Sequence, residues 1–381
     1  MPRPPWSPPP WRTARAQMSP RELCWCGSEK LWVKCHKGRS KEREISLREA
    51  FARLAREHLK GRCSHPDAPG ACKSAPIRAH SLQRSSVLSA IAENGHVYSA
   101  RSDILENGLR DIRKVGVRTA STFFGFCSYH DDSLFKPIER GELALDQKTA
   151  FLLSFRAVSM EVLVREASIR GMAAVHMDAG KSLRQQEQIV NKIQQDIVPI
   201  IRGAHDFRDW KLRLDRKYSS GSFHDMNMLV VEFDDLMPIV SSAAIQPWFD
   251  FEGNRLQDLI HTAEPDQLAF SLTCVGGASV LIFCWERDDN LAAKKLVDSF
   301  LKQPDRYKAT AAALLAMGYS ENTYLRMSWW DALQPRQQER VHEVIQFGTC
   351  GPEHRAIRAR VMNTSISPIR INVGVRGTRR V

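Results

Sequence analysis

The sequence lacks any apolar run long enough to cross a bilayer. A membrane-spanning helix needs about 18 or more consecutive apolar residues, and the longest candidate, CVGGASVLIFC at residues 274–284, is shorter. No Walker A pattern and no G-x-G-x-x-G stands between a predicted strand and a helix. His342 and His354 are too far apart for a zincin motif. These absences argue against a membrane-spanning protein, a P-loop kinase, a Rossmann enzyme and a zincin protease.

Cysteine is too sparse for a disulfide-stapled secreted protein. Nine cysteines in 381 residues is an odd count and a low density, and no charged-then-apolar signal segment precedes them. We therefore predict a reduced, cytoplasmic chain, in which closely spaced Cys and His residues more often bind zinc than form disulfides. Cys274, Cys284 and Cys350 are isolated and are interpreted as reduced core cysteines.

The stretch CWCGSEKLWVKCHKGR, residues 24–39, concentrates zinc ligands near the N-terminus. Cys24 and Cys26 are one residue apart, Gly27 permits a tight turn, and Cys35 with His36 follows after eight intervening residues. Three thiolates and an imidazole suit a closed tetrahedral zinc site. The alternative is a set of reduced surface thiols. So short a segment has almost no apolar core, so we expect the metal to supply most of its folding energy.

These four residues and their spacing resemble the SEC-C motif. This small zinc module is best known from the tail of the bacterial preprotein translocase ATPase, and it recurs as an accessory on many bacterial proteins. The resemblance covers residues 22–39 and implies a structural zinc module at 21–40 that docks a protein partner. It implies no catalytic chemistry.

Positive charge lies at the two ends of the chain. The net charge is +12, of which residues 1–60 contribute +8 and residues 354–381 contribute +7. Basic ends predict contact with nucleic acid or another polyanion, and the alternative is a pair of solvated tails. We expect a disordered Pro-rich segment at 1–20, with translation starting at either Met1 or Met18, and a basic tail at 351–381.

Hydrophobic periodicity predicts an α+β protein. Residues 41–61 form a predicted linker helix that Gly61 ends, and residues 142–218 form a helical segment in which Asp146 caps the first helix. Residues 219–350 are predicted to form an antiparallel sheet with helices. Gly276-Gly277 indicates a hairpin turn in that sheet. The ligand of this α+β domain is not apparent.

A second set of potential zinc ligands lies at 63–130. Cys63 and Cys72 frame a Pro/Gly-rich loop, and Cys127 with His130 marks a turn that enters a helix. Two such pairs can build a treble-clef zinc site. His65 is an alternative ligand, and the competing interpretation is buried cysteines beside a helix-capping histidine.

The segment IRAHSLQRS, enclosed by these pairs, resembles HNH endonucleases. The resemblance implies a β-hairpin and a helix around a treble clef over residues 62–141, with His80 as general base and Mg²⁺ or Mn²⁺ as the catalytic ion. The middle asparagine is Asn94 or Asn107, and the last residue of the metal site is His130 or Asp131. Many family members have Asp where this chain has Ala79.

Two functional hypotheses follow. In the first, the chain is a zinc-binding, metal-dependent nuclease that acts on phosphodiesters. In the second, it is a non-catalytic, zinc-stabilised interaction protein that docks a protein or nucleic-acid partner. Neither hypothesis involves a membrane.

Overall fold

The computed structural model describes residues 13–26, 28–101, 111–139, 143–174, 176–287, 289–347 and 362–381. The fold is mixed α+β with a C-terminal antiparallel sheet and covering helices, which confirms the predicted class. The chain divides into two compact units. The first contains Met1–Gly61 and Glu161–Asp209, and the second contains Arg62–Met160 and Trp210–Val381.

Short helices and parts of two long helices build the first unit. The helices that contribute to it are α1 (His36–Arg39), α2 (Leu47–His58), α5 (Gln147–Ala174) and α6 (Leu183–Ser220). Ser46 caps α2 by accepting a hydrogen bond from the Glu49 amide at 3.2 Å. The unit boundaries fall within α5 and α6. The linker helix predicted at residues 41–61 corresponds to α2, which lies within the first unit.

The first of the two long helices begins where the sequence predicts. The Asp146 side chain accepts a hydrogen bond from the Thr149 amide at 2.8 Å, and α5 starts at the next residue, Gln147. Helix α6 begins at Leu183 and runs as one helix of 38 residues to Ser220. Both helices lie largely within the helical segment predicted at 142–218.

An antiparallel sheet of eight strands dominates the second unit. Its order is β10-β5-β8-β7-β6-β9-β2-β3. The strands are β2 (His96–Arg101), β3 (Asp111–Gly116), β5 (Met226–Phe233), β6 (Ile239–Ile245), β7 (Leu268–Val275), β8 (Ala278–Glu286), β9 (Thr323–Leu325) and β10 (Val375–Arg380). Gly276 and Gly277 connect β7 to β8 with φ angles of 59° and 85°, which the predicted hairpin turn requires.

Helices from the C-terminal half pack on this sheet. They are α7 (Leu291–Leu301), α8 (Asp305–Tyr319), α9 (Met327–Asp331) and α10 (Pro335–Phe347). The core joins large side chains of the strands, such as Phe270 and Phe283, to the Ala-rich face of α8 and to Val344 of α10. Small alanines let α8 approach the sheet closely, so this region is a packed α+β core.

A smaller pair of strands stands apart from the large sheet. Strands β1 (Pro76–His80) and β4 (Thr122–Cys127) pair antiparallel, with Pro76 opposite Cys127 and His80 opposite Thr122. Helix α4 (Ser128–Glu139) follows β4 directly. Between β1 and β4 lie a π-helical turn (Arg84–Leu88), α3 (Ser89–Ile91), β2 and β3. Because β2 pairs with β9, the region 62–141 shares the sheet of the C-terminal part.

The structure differs from the prediction at both ends of the chain. Residues 13–20 were expected to be disordered, yet Ala14 is buried, and its amide donates to the Asn191 side chain at 3.0 Å. Residues 1–12 lie outside the described residues. At the other end, Met362 and Ile369 are buried, and β10 pairs with β5, so residues 362–381 are part of the folded second unit.

The arginines of β10 have acidic neighbours. Arg376, Arg379 and Arg380 lie 4.0, 3.7 and 2.8 Å from carboxylate oxygens of Asp234, Glu232 and Asp298, respectively. Charged side chains on an edge strand also discourage pairing with other chains. The positive charge of this segment is thus partly neutralised within the protein. Separately, none of the helices in the described ranges combines the length and apolarity needed to span a membrane.

Candidate metal centres

Four potential ligands from a short N-terminal segment converge in the first unit. Cys24 and Cys26 flank Trp25, next to a bridge between Leu23 and Leu31. Cys35 follows a 3₁₀ turn, and His36 begins α1. The ligand atoms of Cys24, Cys26, Cys35 and His36 all lie within 4.8 Å of one another. We call this set the N-terminal cluster.

The spacing of these atoms fits tetrahedral zinc. Zinc bonds of about 2.3 Å to sulfur and about 2.0 Å to nitrogen place tetrahedral ligand atoms about 3.5 to 3.8 Å apart. The Cys26 and Cys35 sulfurs are 3.6 Å apart, and His36 Nδ1 lies 3.1 Å from the Cys24 sulfur and 3.4 Å from that of Cys35. The Cys26–Cys35 pair matches this spacing and the two His36 separations are slightly shorter, so a zinc ion fits with small side-chain shifts.

A carboxylate from a distant segment contacts the histidine of this cluster. His36 Nε2 lies 3.1 Å from Asp178 Oδ2, and both side chains are buried. Burial opposes protonation of His36, but hydrogen bonds with Asp178 and with the Cys26 and Cys35 sulfurs outweigh it and raise the His36 pKa to about 10. A metal ion at this position needs the unprotonated Nδ1 of His36.

A second cluster forms where the β1–β4 strand pair, here called the small hairpin, meets helix α4. Cys127 ends β4, and His130 lies in the first turn of α4. Cys63 and Cys72 come from the preceding loop. The ligand atoms of Cys63, Cys72, Cys127 and His130 also lie within 4.8 Å of one another. We call this set the hairpin cluster.

The hairpin cluster has the same donor set and a similar geometry. His130 Nδ1 lies 3.3, 3.7 and 3.3 Å from the sulfurs of Cys63, Cys72 and Cys127. The Ser64 amide donates to the Gly125 carbonyl at 2.8 Å, which ties the loop to β4. Among the described residues, the cysteines form no disulfide, so these sulfurs are available to a metal.

His65, the alternative ligand, lies beside the hairpin cluster and not within it. Its ring stacks on that of His130 with centroids 3.8 Å apart. Its Nε2 lies 3.1 Å from the Tyr218 hydroxyl, and its Nδ1 accepts from the Asp67 amide at 3.1 Å. Burial and the neighbouring His130 lower the His65 pKa to about 4. His65 is therefore a neutral ring that supports the ligand His130.

His80 lies at the end of β1, close to the hairpin cluster in the sequence but outside its ligand set. Its Nε2 lies 3.3 Å from the Val117 carbonyl oxygen. A carbonyl can only accept, so Nε2 carries the hydrogen and Nδ1 of the neutral ring keeps its lone pair. Burial is the main cause of a lowered His80 pKa, which the Val117 carbonyl partly offsets. The imidazole is therefore neutral at physiological pH.

The charges of Arg156 and Glu139 lie near both Asp131 and His80. Burial raises the Asp131 pKa to about 6, and the charges of Arg156 and Glu139 influence both Asp131 and His80. Arg156 is 4 % exposed, donates to Glu139 Oε1 at 2.6 Å and lies over the Phe135 ring at 3.9 Å. Within the described ranges, Asp131 Oδ1 and Arg156 Nε are buried without a hydrogen-bond partner.

The remaining residues singled out by the sequence lie elsewhere. Asn94 occupies an exposed turn ahead of β2 with a φ of 51°, and its carbonyl meets His96 Nδ1 at 2.8 Å. Asn107, Cys350 and His354 lie outside the described residues. Cys284 is buried, and burial raises its pKa to about 12, as expected for an unreactive core cysteine.

Two residues that matter here were absent from the sequence-based set. Asp178 is 139 residues from Arg39, which it contacts, and Arg156 lies inside an apolar helical pattern. Neither position carries a local sequence signal. Only the tertiary fold brings Asp178 to His36 and Arg156 to Glu139. Comparison of the chain with protein-family models, with curated proteins and with solved structures gives no match.

Proposed function

We propose that this protein binds two structural zinc ions and that the β1–β4–α4 unit is an HNH-like nuclease acting on phosphodiesters. The observation that carries the proposal is the placement of His80. It sits at the end of the first hairpin strand, donates through Nε2 to the Val117 carbonyl, and keeps a lone pair on Nδ1. A neutral, oriented imidazole is what a general base for water activation requires.

The surrounding charges support hydrolysis of a phosphodiester. In the proposed step, a water oxygen attacks phosphorus while its proton passes to His80 Nδ1, and the bond from phosphorus to the leaving oxygen breaks. Arg84 lies within electrostatic reach of His80, so this end of the hairpin favours an anionic substrate. Arg156 is held by Glu139 and fixes the α4 side of the site.

Asp131 fits the role of ligand to the divalent ion that such nucleases use. Its Oδ1 is buried and has no hydrogen-bond partner among the described residues, whereas His130 belongs to the hairpin cluster. A bound Mg²⁺ or Mn²⁺ would stabilise the negative charge that develops on the phosphate. Ala79 offers no ligand, and Mg²⁺ commonly keeps several waters beside one or two carboxylates.

The test is cleavage of supercoiled DNA and of single-stranded RNA by purified protein with Mg²⁺ or Mn²⁺. His80→Ala should keep two zinc ions and the wild-type melting profile, yet lower the cleavage rate at least about 100-fold, since general bases contribute about 10²- to 10⁴-fold. His96→Ala is the matched control, because His96 also bonds to a backbone carbonyl but lies on β2. Its rate should match the wild type.

A second candidate function is docking of a protein partner through the N-terminal cluster. The observation that favours it is the adjacent pair Leu23 and Leu31, which are 48 % and 36 % exposed on this module. Zinc-loaded wild-type protein that cleaves neither DNA nor RNA with either metal would contradict the nuclease proposal. That result would leave the interaction protein as the better account.

A further inference from the structure

The histidine of the N-terminal cluster is held from both sides of its ring. Nδ1 faces the sulfurs of Cys24 and Cys35, while Nε2 meets Asp178 Oδ2 at 3.1 Å. The Asp178 side chain is 3 % exposed. A carboxylate on the outer nitrogen of a ligating histidine fixes the tautomer and the orientation of the ring and makes it a better ligand.

Asp178 is itself fixed by a residue of the same zinc module. One Arg39 guanidinium nitrogen lies 2.9 and 3.0 Å from the two Asp178 carboxylate oxygens. The aspartate thus joins His36 at the start of α1 to Arg39 at its end. An Asp buried in this way is compensated by two polar partners, which accounts for its position inside the protein.

The backbone around Asp178 is bound to the module as closely as its side chain. The Gly180 amide donates to the Arg39 carbonyl at 2.9 Å. Gly180 has a φ of +73°, and a Cβ there would lie 2.7 Å from the Glu44 amide nitrogen and 2.9 Å from the Glu42 carbonyl. Only glycine permits both this conformation and this approach. Residues 176–182 therefore fit against the zinc module through several independent contacts.

We propose that Asp178 is a positioning residue for zinc at the N-terminal cluster, and that this zinc acts as an internal clasp on the turn at 176–182. The clasp couples metal binding to the order of the turn in both directions, because whatever binds only the folded arrangement also stabilises it. This role is separate from the proposed nuclease activity, since it concerns only residues of the first unit.

The test measures zinc release from wild-type protein and from Asp178→Asn to a chromogenic chelator. Cys35→Ser, which lacks an N-terminal ligand, identifies the release phase of each cluster. Second-layer substitutions typically weaken metal binding about 10- to 100-fold. Asp178→Asn should therefore speed release from the N-terminal cluster by about that factor and leave release from the hairpin cluster unchanged. Lys181→Ala is the control, because Lys181 lies in the same turn and its substitution removes an ion pair with Glu44. This variant should release both zinc ions at wild-type rates.

Two further readouts separate positioning from a general loss of stability. Cobalt in place of zinc should show a shifted d–d absorption in Asp178→Asn, because the orientation of His36 changes. Amide hydrogen exchange at 176–182 should accelerate when wild-type protein loses the N-terminal zinc. If Asp178→Asn does not fold, Arg39→Gln takes its place and should show the same selective release with a smaller factor. The proposal would be overturned if Asp178→Asn released its N-terminal zinc at the wild-type rate. It would also be overturned if amide exchange at 176–182 were the same with and without that zinc.

Discussion

The two candidate metal clusters have the same potential ligands but different surroundings. Each offers three cysteine sulfurs and one histidine Nδ1 at similar separations. In the N-terminal cluster, the outer nitrogen of His36 meets the carboxylate of Asp178, which Arg39 holds. In the hairpin cluster, the ring of His130 stacks on the neutral ring of His65.

This difference shows that a ligand set defines a zinc site but not its role. The N-terminal cluster is surrounded by contacts that attach it to the turn at 176–182. The potential ligands of the hairpin cluster instead come from the loop that holds Cys63 and Cys72, from the end of β4 and from the first turn of α4. We therefore propose a clasp role for the first cluster and support of the proposed nuclease site for the second.

Of the two clusters, the hairpin cluster lies in the same unit as His80, the proposed catalytic base. Burial lowers the His80 pKa below its usual value of about 6.5, with Arg84 and Arg156 acting in the same direction and Glu139 opposing them. The base form is therefore already present at neutral pH. The cleavage rate should be independent of His80 ionisation from about pH 6.5 upward and should fall about tenfold per unit below the lowered pKa.

The measurement is a pH–rate profile, with the zinc content determined at each pH because protonated thiols release metal. His80→Ala should lack the acid limb at pH values where both proteins retain two zinc ions. A wild-type rate that keeps rising between pH 7 and 8 would contradict a base with a lowered pKa.

A smaller effect is expected at His65. His65→Ala removes the ring that stacks on His130 but no ligand, so the protein should keep two zinc ions and lose about 1 kcal/mol of unfolding free energy, as for other ring pairs. Zinc counting and denaturant unfolding check this expectation. Loss of one zinc ion from the variant would instead make His65 a member of the hairpin cluster.

The sequence predicts features that depend on neighbouring residues, but it does not predict features that depend on tertiary contacts. The eight potential ligands stand out because cysteine and histidine at close spacing are rare. Asp146 and Gly276-Gly277 indicate a helix start and a hairpin turn. Asp178 carries no such signal. The Arg-rich strand β10 resembles a solvated tail, since its pairing with β5 and its acidic neighbours come from distant parts of the chain.

The place of the insertion between β1 and β4 in the large sheet could not be predicted from local sequence either. Its strands β2 and β3 follow a strand-like pattern, but nothing in their sequence indicates that they extend a sheet formed by residues 226–286. The predicted separate domain at 62–141 consequently shares its largest sheet with the C-terminal half. Non-local pairing of this kind depends on packing of the whole unit.

The zinc content of the wild type, Cys35→Ser and Cys127→Ser, counted by native mass spectrometry, tests the central claim most directly. We expect two zinc ions in the wild type and one in each variant, with cleavage retained by Cys35→Ser and lost by Cys127→Ser. Cys284→Ser, which changes a buried cysteine outside both clusters, should keep two. A wild type without zinc, or two zinc ions in either ligand variant, would contradict the account.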